Sequence, residues 1–176
     1  QPMSVLAHRT PPERHRKKIL ANIQDELGHG DHTQSHEQTF LRFLKHFDQL
    51  TEADIRQRPV WPELEAFNEQ LDHACHQNDY RSASAALGMI EHLFADISAR
   101  IGNHLIHNDW LPADQLIHYS IHAELDVQHA QDFYDVGFPD WPNKQTVIRD
   151  GLRQGAQLLD GLYRDLHEHR RRRLRT

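Results

Sequence analysis

The chain has 176 residues, a formal net charge of −6, 38% hydrophobic residues, 16 histidines and one cysteine. That length suits one domain able to bury a core, the lone Cys75 excludes an intrachain disulfide, and the acidic balance gives no general reason to expect nucleic acid. A mean hydropathy of −0.79, with no apolar run near the roughly 20 residues of a membrane span, and an opening Gln1-Pro2-Met3-Ser4 that begins no signal-peptide pattern point to a cytoplasmic protein.

Apolar residues recur at helical spacing throughout. Pro11-Pro12 followed by Glu13 predicts a helix start, with Ile19, Leu20, Ile23 and Leu27 as its stripe and Gly28 as its stop. Glu26 falls in the last turn, where the helix dipole disfavours a carboxylate, so a neighbouring cation is needed, either a metal ion or a Lys or Arg. After a glycine-containing loop, Ser35 is a good N-cap for a helix with the stripe Phe40, Phe43, Leu44 and Phe47. His36 belongs to that stripe, and a short loop folding back would bring Glu26 and His36 to one interior point. The alternative is a buried histidine bonded to a backbone group, with His29 and His32 competing for any ligand role.

Thr51-Glu52-Ala53-Asp54 is a weak capping box for a short turn. Trp61-Pro62 opens a helix burying Leu64, Phe67, Leu71 and Cys75, which reads Cys75 as a small packed residue and leaves His73 and His76 on the solvated side. A long helix from about Ser82 to His107 turns Leu87, Ile90, Phe94, Ile97, Ile101 and Leu105 inward. Glu91 borders that apolar face, where an unpaired charge is costly, so it either reaches water or has a partner such as a metal.

The next helix, from about Ala113 to Tyr134, carries His122-Ala-Glu-Leu-Asp126-Val-Gln-His129. At about 100° per residue, Asp126 lies roughly 40° to one side of His122 and His129 roughly 20° to the other, so three metal-ligand side chains share one face. Two imidazoles and a carboxylate presented inward can serve adjacent transition-metal ions, as in carboxylate-bridged di-iron bundles, although the same residues could form a solvated polar face. His118, one turn earlier, reads as a packed histidine, a rival ligand or a supporting partner. Trp141-Pro142 opens a final helix facing inward through Ile148, Leu152, Ala156, Leu159 and Leu166, with Gly151 and Gly155 allowing close contact. It ends in a solvated basic tail, 167–176. About six helices and no strand signal make this an all-α helical bundle in a single domain, 1–176.

The ordered set of Glu26 with His36, Glu91 in a Gly-x-x-Glu context, and His122-x3-Asp126-x2-His129 resembles the haem-oxygenase-like di-iron oxidases, also called iron-containing redox enzymes. The resemblance covers about Glu13 to Leu166. It implies a haem-oxygenase-like bundle in which Glu26, His36, Glu91, His122, Asp126 and His129 hold two Fe(II) ions. Glu26, His36 and His122 would sit mainly on one iron, Asp126 and His129 on the other, and Glu91 would bridge. Some members add a carboxylate on an earlier helix, for which this sequence leaves no room before Pro11; either six ligands suffice or that helix lies upstream of the sequence. The fold's haem-binding and thiamin-degrading branches fit less well, since no glycine-rich distal helix is evident and Cys75 is poorly placed as a nucleophile.

What the resemblance implies for activity is O2-dependent oxidation of an amino-acid-like or fatty-acid-like small molecule, by N-oxygenation or oxidative C–C or C–N cleavage. Neither nucleic acid nor membrane is an expected partner, and a homodimer is compatible with the sequence. The competing reading is a non-catalytic metal-binding or helical interaction protein that uses His73, His76, His104, His107, His167 and His169 as readily as the motif.

Overall fold

The computed structural model of the protein describes residues 2–11, 13–47, 51–77 and 79–173, the side chains of Gln77 and Arg173 apart. Along it run α1 (Pro2–Arg9), α2 (Glu13–Glu26), α3 (His36–Lys45), α4 (Glu52–Arg56), α5 (Pro62–Gln77), α6 (Tyr80–His107), α7 (Ile117–Gly137) and α8 (Trp141–Arg173). Three 3-10 turns, His32–Gln34, Ala113–Gln115 and Phe138–Asp140, join them, and there is no strand among the described residues. The six helices expected from periodicity are α2, α3 and α5 to α8. Helix α4 is the short turn, closed by the reciprocal capping box of Thr51 and Asp54.

Helix α6 is the centre, with α7 on one flank and α8 on another. Its first turns, Ser82 to Gly88, are wholly buried and, apart from Leu87, made of small residues. Backbones can therefore approach closely. A Cβ on Gly88 would lie 2.8 Å from the Tyr134 ring on α7, and Ser84 Oγ donates to Phe133 O at 2.7 Å. From the other side, a Cβ on Gly151 would lie 2.2 Å from Ser82 O and one on Gly155 2.3 Å from Ala86 O. Both obstacles are backbone, which cannot swing aside. Gly155→Ala should thus cost roughly 1–3 kcal/mol through forced separation of α6 and α8, the usual range for overpacking. A lowered urea midpoint with unchanged slope would be the result.

Several sequence expectations change at the level of packing. Residues 2–9 form a helix where no room for one was expected, and Leu6 and Ala7 bury it against Ile19, Cys75, Ala83 and Phe133. Eight residues have little helical stability alone, so tertiary burial creates α1. It carries no carboxylate. On α2 the inward face is His15, Ile19 and Asn22, while Leu20 and Leu27 are about half exposed. On α3 it is Thr39 and Leu41, with Phe47 exposed, and on α5 Leu64 is at the surface while Ala74 and Cys75 are fully buried. Burial pushes the Cys75 thiol up to about 12, which suits packing and not nucleophilic work.

Helix α7 starts at Ile117 rather than near Ala113, because residues 113–115 close as a 3-10 turn after Pro112. The basic tail is solvated as expected, exposed at His167, Glu168 and Arg170 to Arg172. Helix α8 continues to Arg173, held where His169 stacks on Trp61 at 4.4 Å between ring centroids and meets Glu63 Oε1 at 2.9 Å. Pro12 and the tail's last residues, 174–176, lie outside the described residues.

Candidate metal centre

Two local signals bring α2 and α3 together. Gly28 adopts φ +77, His29 N donates to Gln24 O at 2.9 Å and Gly28 N donates to Asp25 O at 3.0 Å, a Schellman termination that leaves Glu26 on the final helical turn. A side chain at Gly28 would collide with Asp31 O at 2.3 Å. Seven residues later the Ser35 hydroxyl accepts from Gln38 N and caps α3, which makes His36 its first residue. The turn returns the chain on itself, and Glu26 Oε2 lies 3.0 Å from His36 Nδ1.

Helix α7 supplies the opposing wall. His118, His122, Asp126 and His129 are all buried, as the helical spacing of the last three requires for one inward face. His122 Nδ1 lies 2.8 Å from Asp126 Oδ1. His129 Nδ1 is 3.7 Å from Glu26 Oε1, and its Nε2 is 3.1 Å from Asp25 Oδ2. Below the site, Lys18 reaches Asp132 Oδ1 at 3.0 Å and Asp135 Oδ2 at 2.6 Å, fixing α2 against α7.

These side chains form two sets in which one ligand atom per residue lies within 4.8 Å of the others: Glu26 with Asp126 and His129, and His36 with His118 and His122. The division differs from the one expected from family resemblance. Glu26 sits beside Asp126 and His129, yet its second oxygen touches His36, so its carboxylate spans the two sets. Glu91 enters neither set. It is close enough for Asp126 and Glu26 to act on its charge, and it lines one cavity with Glu26 and His36.

The electrostatics of the site couple its acids to its imidazoles. Burial first, then the charges of Asp126 and Glu26, push the Glu91 carboxyl well above its ordinary range. Burial also acts to raise Glu26, but the His36 contact and the charges of His36, His122 and His129 outweigh it and leave it below its usual value. For His36, burial acts downward and the Glu26 contact and the Asp126 charge more than reverse it. His118 is held down to about 3 by burial and by the imidazoles of His122 and His36. Acids and imidazoles thus share one buried region, where a bound cation would favour the ionised carboxylates.

A metal ion fits the donors left over. Asp126 Oδ2 and His129 Nδ1 are buried without a hydrogen bond, and His36 Nδ1, despite its contact with Glu26, makes none of proper geometry. Buried donors without partners are rare in folded proteins. Imidazole nitrogens and carboxylate oxygens in this mixture suit a divalent first-row metal such as iron.

Sequence reasoning missed Asp25. Its carboxylate contacts His129 Nε2 on one side and exposed His29 on the other, so Nε2 carries the proton and Nδ1 keeps its lone pair toward Glu26. Its signal was a second carboxylate beside Glu26 in the last turn. Asp25→Ala should weaken metal binding about 10–100-fold without removing a ligand, as loss of an orienting carboxylate does. Competitive titration against a chelator would measure it. His29 and His32 are exposed and belong to neither set, so His36 is the histidine of this segment brought to the centre.

A cavity of about 420 Å³ leads to the site. Met3, Ile23, Leu27, Phe67, Leu71, Leu87 and Ile90 make its apolar wall, and Glu26, His36 and Glu91, with His32, Ser35 and Glu37, its polar lining. No Lys or Arg is among the lining residues described.

A helical bundle that aims carboxylates and imidazoles from four of its helices at one interior point, beside an apolar cavity, is a protein built around transition-metal chemistry. The chain belongs to the iron-containing redox enzyme family, whose model matches residues 1–160. Its fold is the haem-oxygenase-like bundle, and membership gives it an iron-dependent oxidative role. No curated protein matches the chain. No helix among the described residues is long and apolar enough to cross a membrane.

Proposed function

We propose that this chain is a non-haem di-iron enzyme that uses O2 to oxidise a small molecule with an apolar body and a polar head. The observation that carries the reading is the pair of three-residue ligand sets, each with one member, Glu26 or His36, on the wall of a largely apolar cavity. Glu26, Asp126 and His129 would hold one iron, His36 and His122 the other, and Glu26 or Glu91 would bridge. Iron(II) held by imidazoles and carboxylates with open positions supplies electrons to O2 and yields an oxidant able to attack a molecule bound beside it.

The chain's own residues orient that molecule. Ile23, Leu71, Leu87 and Ile90 favour an aliphatic segment and exclude water, and a volume of about 420 Å³ suits a small ligand. Because no Lys or Arg lines the wall, a substrate carboxylate or amine would be directed to the polar lining at Glu26, His36 and Glu91. The atom oxidised is then the one next to the head group, which covers both N-oxygenation and oxidative C–C or C–N cleavage of an amino-acid-like or fatty-acid-like substrate. A cytoplasmic setting and a small-molecule partner accord with this reading.

The alternative, a diffuse histidine-rich metal buffer, would rest on other residues. His73 and His76 are exposed on α5, His104 and His107 on the end of α6 and His167 on α8, and none belongs to a ligand set. Anaerobic Fe(II) titration should reach about two irons per chain, and admitting O2 should then consume it in proportion to iron bound. Diffuse binding of Zn(II) or Ni(II) in excess of iron, with no O2 uptake, would overturn the proposal.

A further inference from the structure

We propose that His118 is an additional metal ligand, completing the imidazole set of His36 and His122, and that Thr39 aims it. The inference rests on the di-iron reading above. It begins with a hydroxyl that has one proton to give. Thr39 Oγ1 lies 2.9 Å from His36 O, a carbonyl that can only accept, so the Thr39 proton is committed there. The same oxygen lies 3.0 Å from His118 Nδ1 and must therefore accept from it. His118 is thereby fixed as the Nδ1–H tautomer, and Nε2 keeps a free lone pair.

This is the arrangement that metal-binding histidines use, with one ring nitrogen donating to a fixed acceptor and the other ligating. His118 is 2% exposed, and its ring centroid is 4.9 Å from that of His36 and 4.6 Å from that of His122. One nitrogen from each of the three lies within 4.8 Å of the others, the same limit that the set of Glu26, Asp126 and His129 meets. With His118 included, the imidazole set has three donors, as many as the set of Glu26, Asp126 and His129. Without it, the second metal would depend on two imidazoles and shared carboxylates, since α1 offers none. Thr39 lies one turn after His36 on α3, so one helix both supplies a ligand and orients another from α7.

The test uses the full chain with Co(II) as the metal, read by metal per chain and by the Co(II) absorption spectrum, and no turnover is required. The parent should bind about two Co(II). His118→Phe, which keeps an aromatic ring in the space, should bind about one with the helical circular dichroism unchanged. Thr39→Val, which keeps the side-chain shape but removes the hydroxyl shared by His118 Nδ1 and His36 O, should retain two but hold one of them about 10–100-fold more weakly. Should His118→Phe fail to fold, the selective loss in Thr39→Val still decides the matter. Parental stoichiometry, affinity and spectrum in both variants would overturn the assignment. A parent chain that binds one Co(II) would instead overturn the di-iron reading, and His118 would then stand or fall on whether its substitution changes the spectrum of that one metal.

Discussion

Asp126→Ala and His129→Ala should each leave a purified chain holding about one iron where the parent holds two, while His36→Ala should remove the other. The three variants differ because their side chains fall in different sets, Asp126 and His129 with Glu26, and His36 with His118 and His122. Loss of a donor should exceed the roughly 10–100-fold penalty typical of a supporting residue. Asp126 is also the residue that His122 Nδ1 contacts at 2.8 Å, so Asp126→Ala should loosen the imidazole set as a secondary effect that His129→Ala lacks. Iron counted per chain, with Mössbauer spectra of the remaining ion, distinguishes the outcomes. Equal losses in all three would argue against two separable sites, and His73→Ala, at an exposed position on α5, should change nothing.

Glu91→Gln should act in opposite directions on stability and on iron. In the metal-free chain the Glu91 carboxyl is raised well above its ordinary 4.5 by burial and by Asp126 and Glu26. Its folded form thus keeps a proton that the unfolded chain has released, from about pH 4.5 up to the raised folded value. Where the native state binds more protons, stability falls as pH rises, here by up to about 1.4 kcal/mol per pH unit for this one group. Its contribution is fully present below the unfolded value and lost through that window. Glu91→Gln should therefore flatten the descending arm and leave the metal-free protein more stable than the parent near neutrality. Iron should reverse the order, because a cation favours the carboxylate that burial opposes and ligand binding stabilises by about 4 kcal/mol at a thousandfold excess over Kd. Urea midpoints across pH, with and without Fe(II), provide the comparison. A variant less stable than its parent without metal at every pH would refute this account of Glu91.

Much of the centre was legible because it is local. Ser35 caps α3, Gly28 ends α2, and the 3.6-residue repeat alone puts His122, Asp126 and His129 on one face, whatever that face meets. The turn length between Glu26 and His36 already required those two ends to be near each other. How helices cross was not legible, and it decided the rest. His118 shares a face with His122 by spacing, but only the approach of Thr39 from α3 sets its tautomer. Asp25 and Glu26 are adjacent in sequence, and α7 determines that one orients His129 while the other spans both ligand sets. Helix α1 exists because α2, α5 and α6 leave an apolar groove for Leu6, and Leu20 and Leu27 are exposed because α2 turns His15, Ile19 and Asn22 toward its neighbours instead. Periodicity specifies which residues lie together on a helix. The direction that side of the helix faces depends on the small residues of α6 and on the buried charges that must be matched across it.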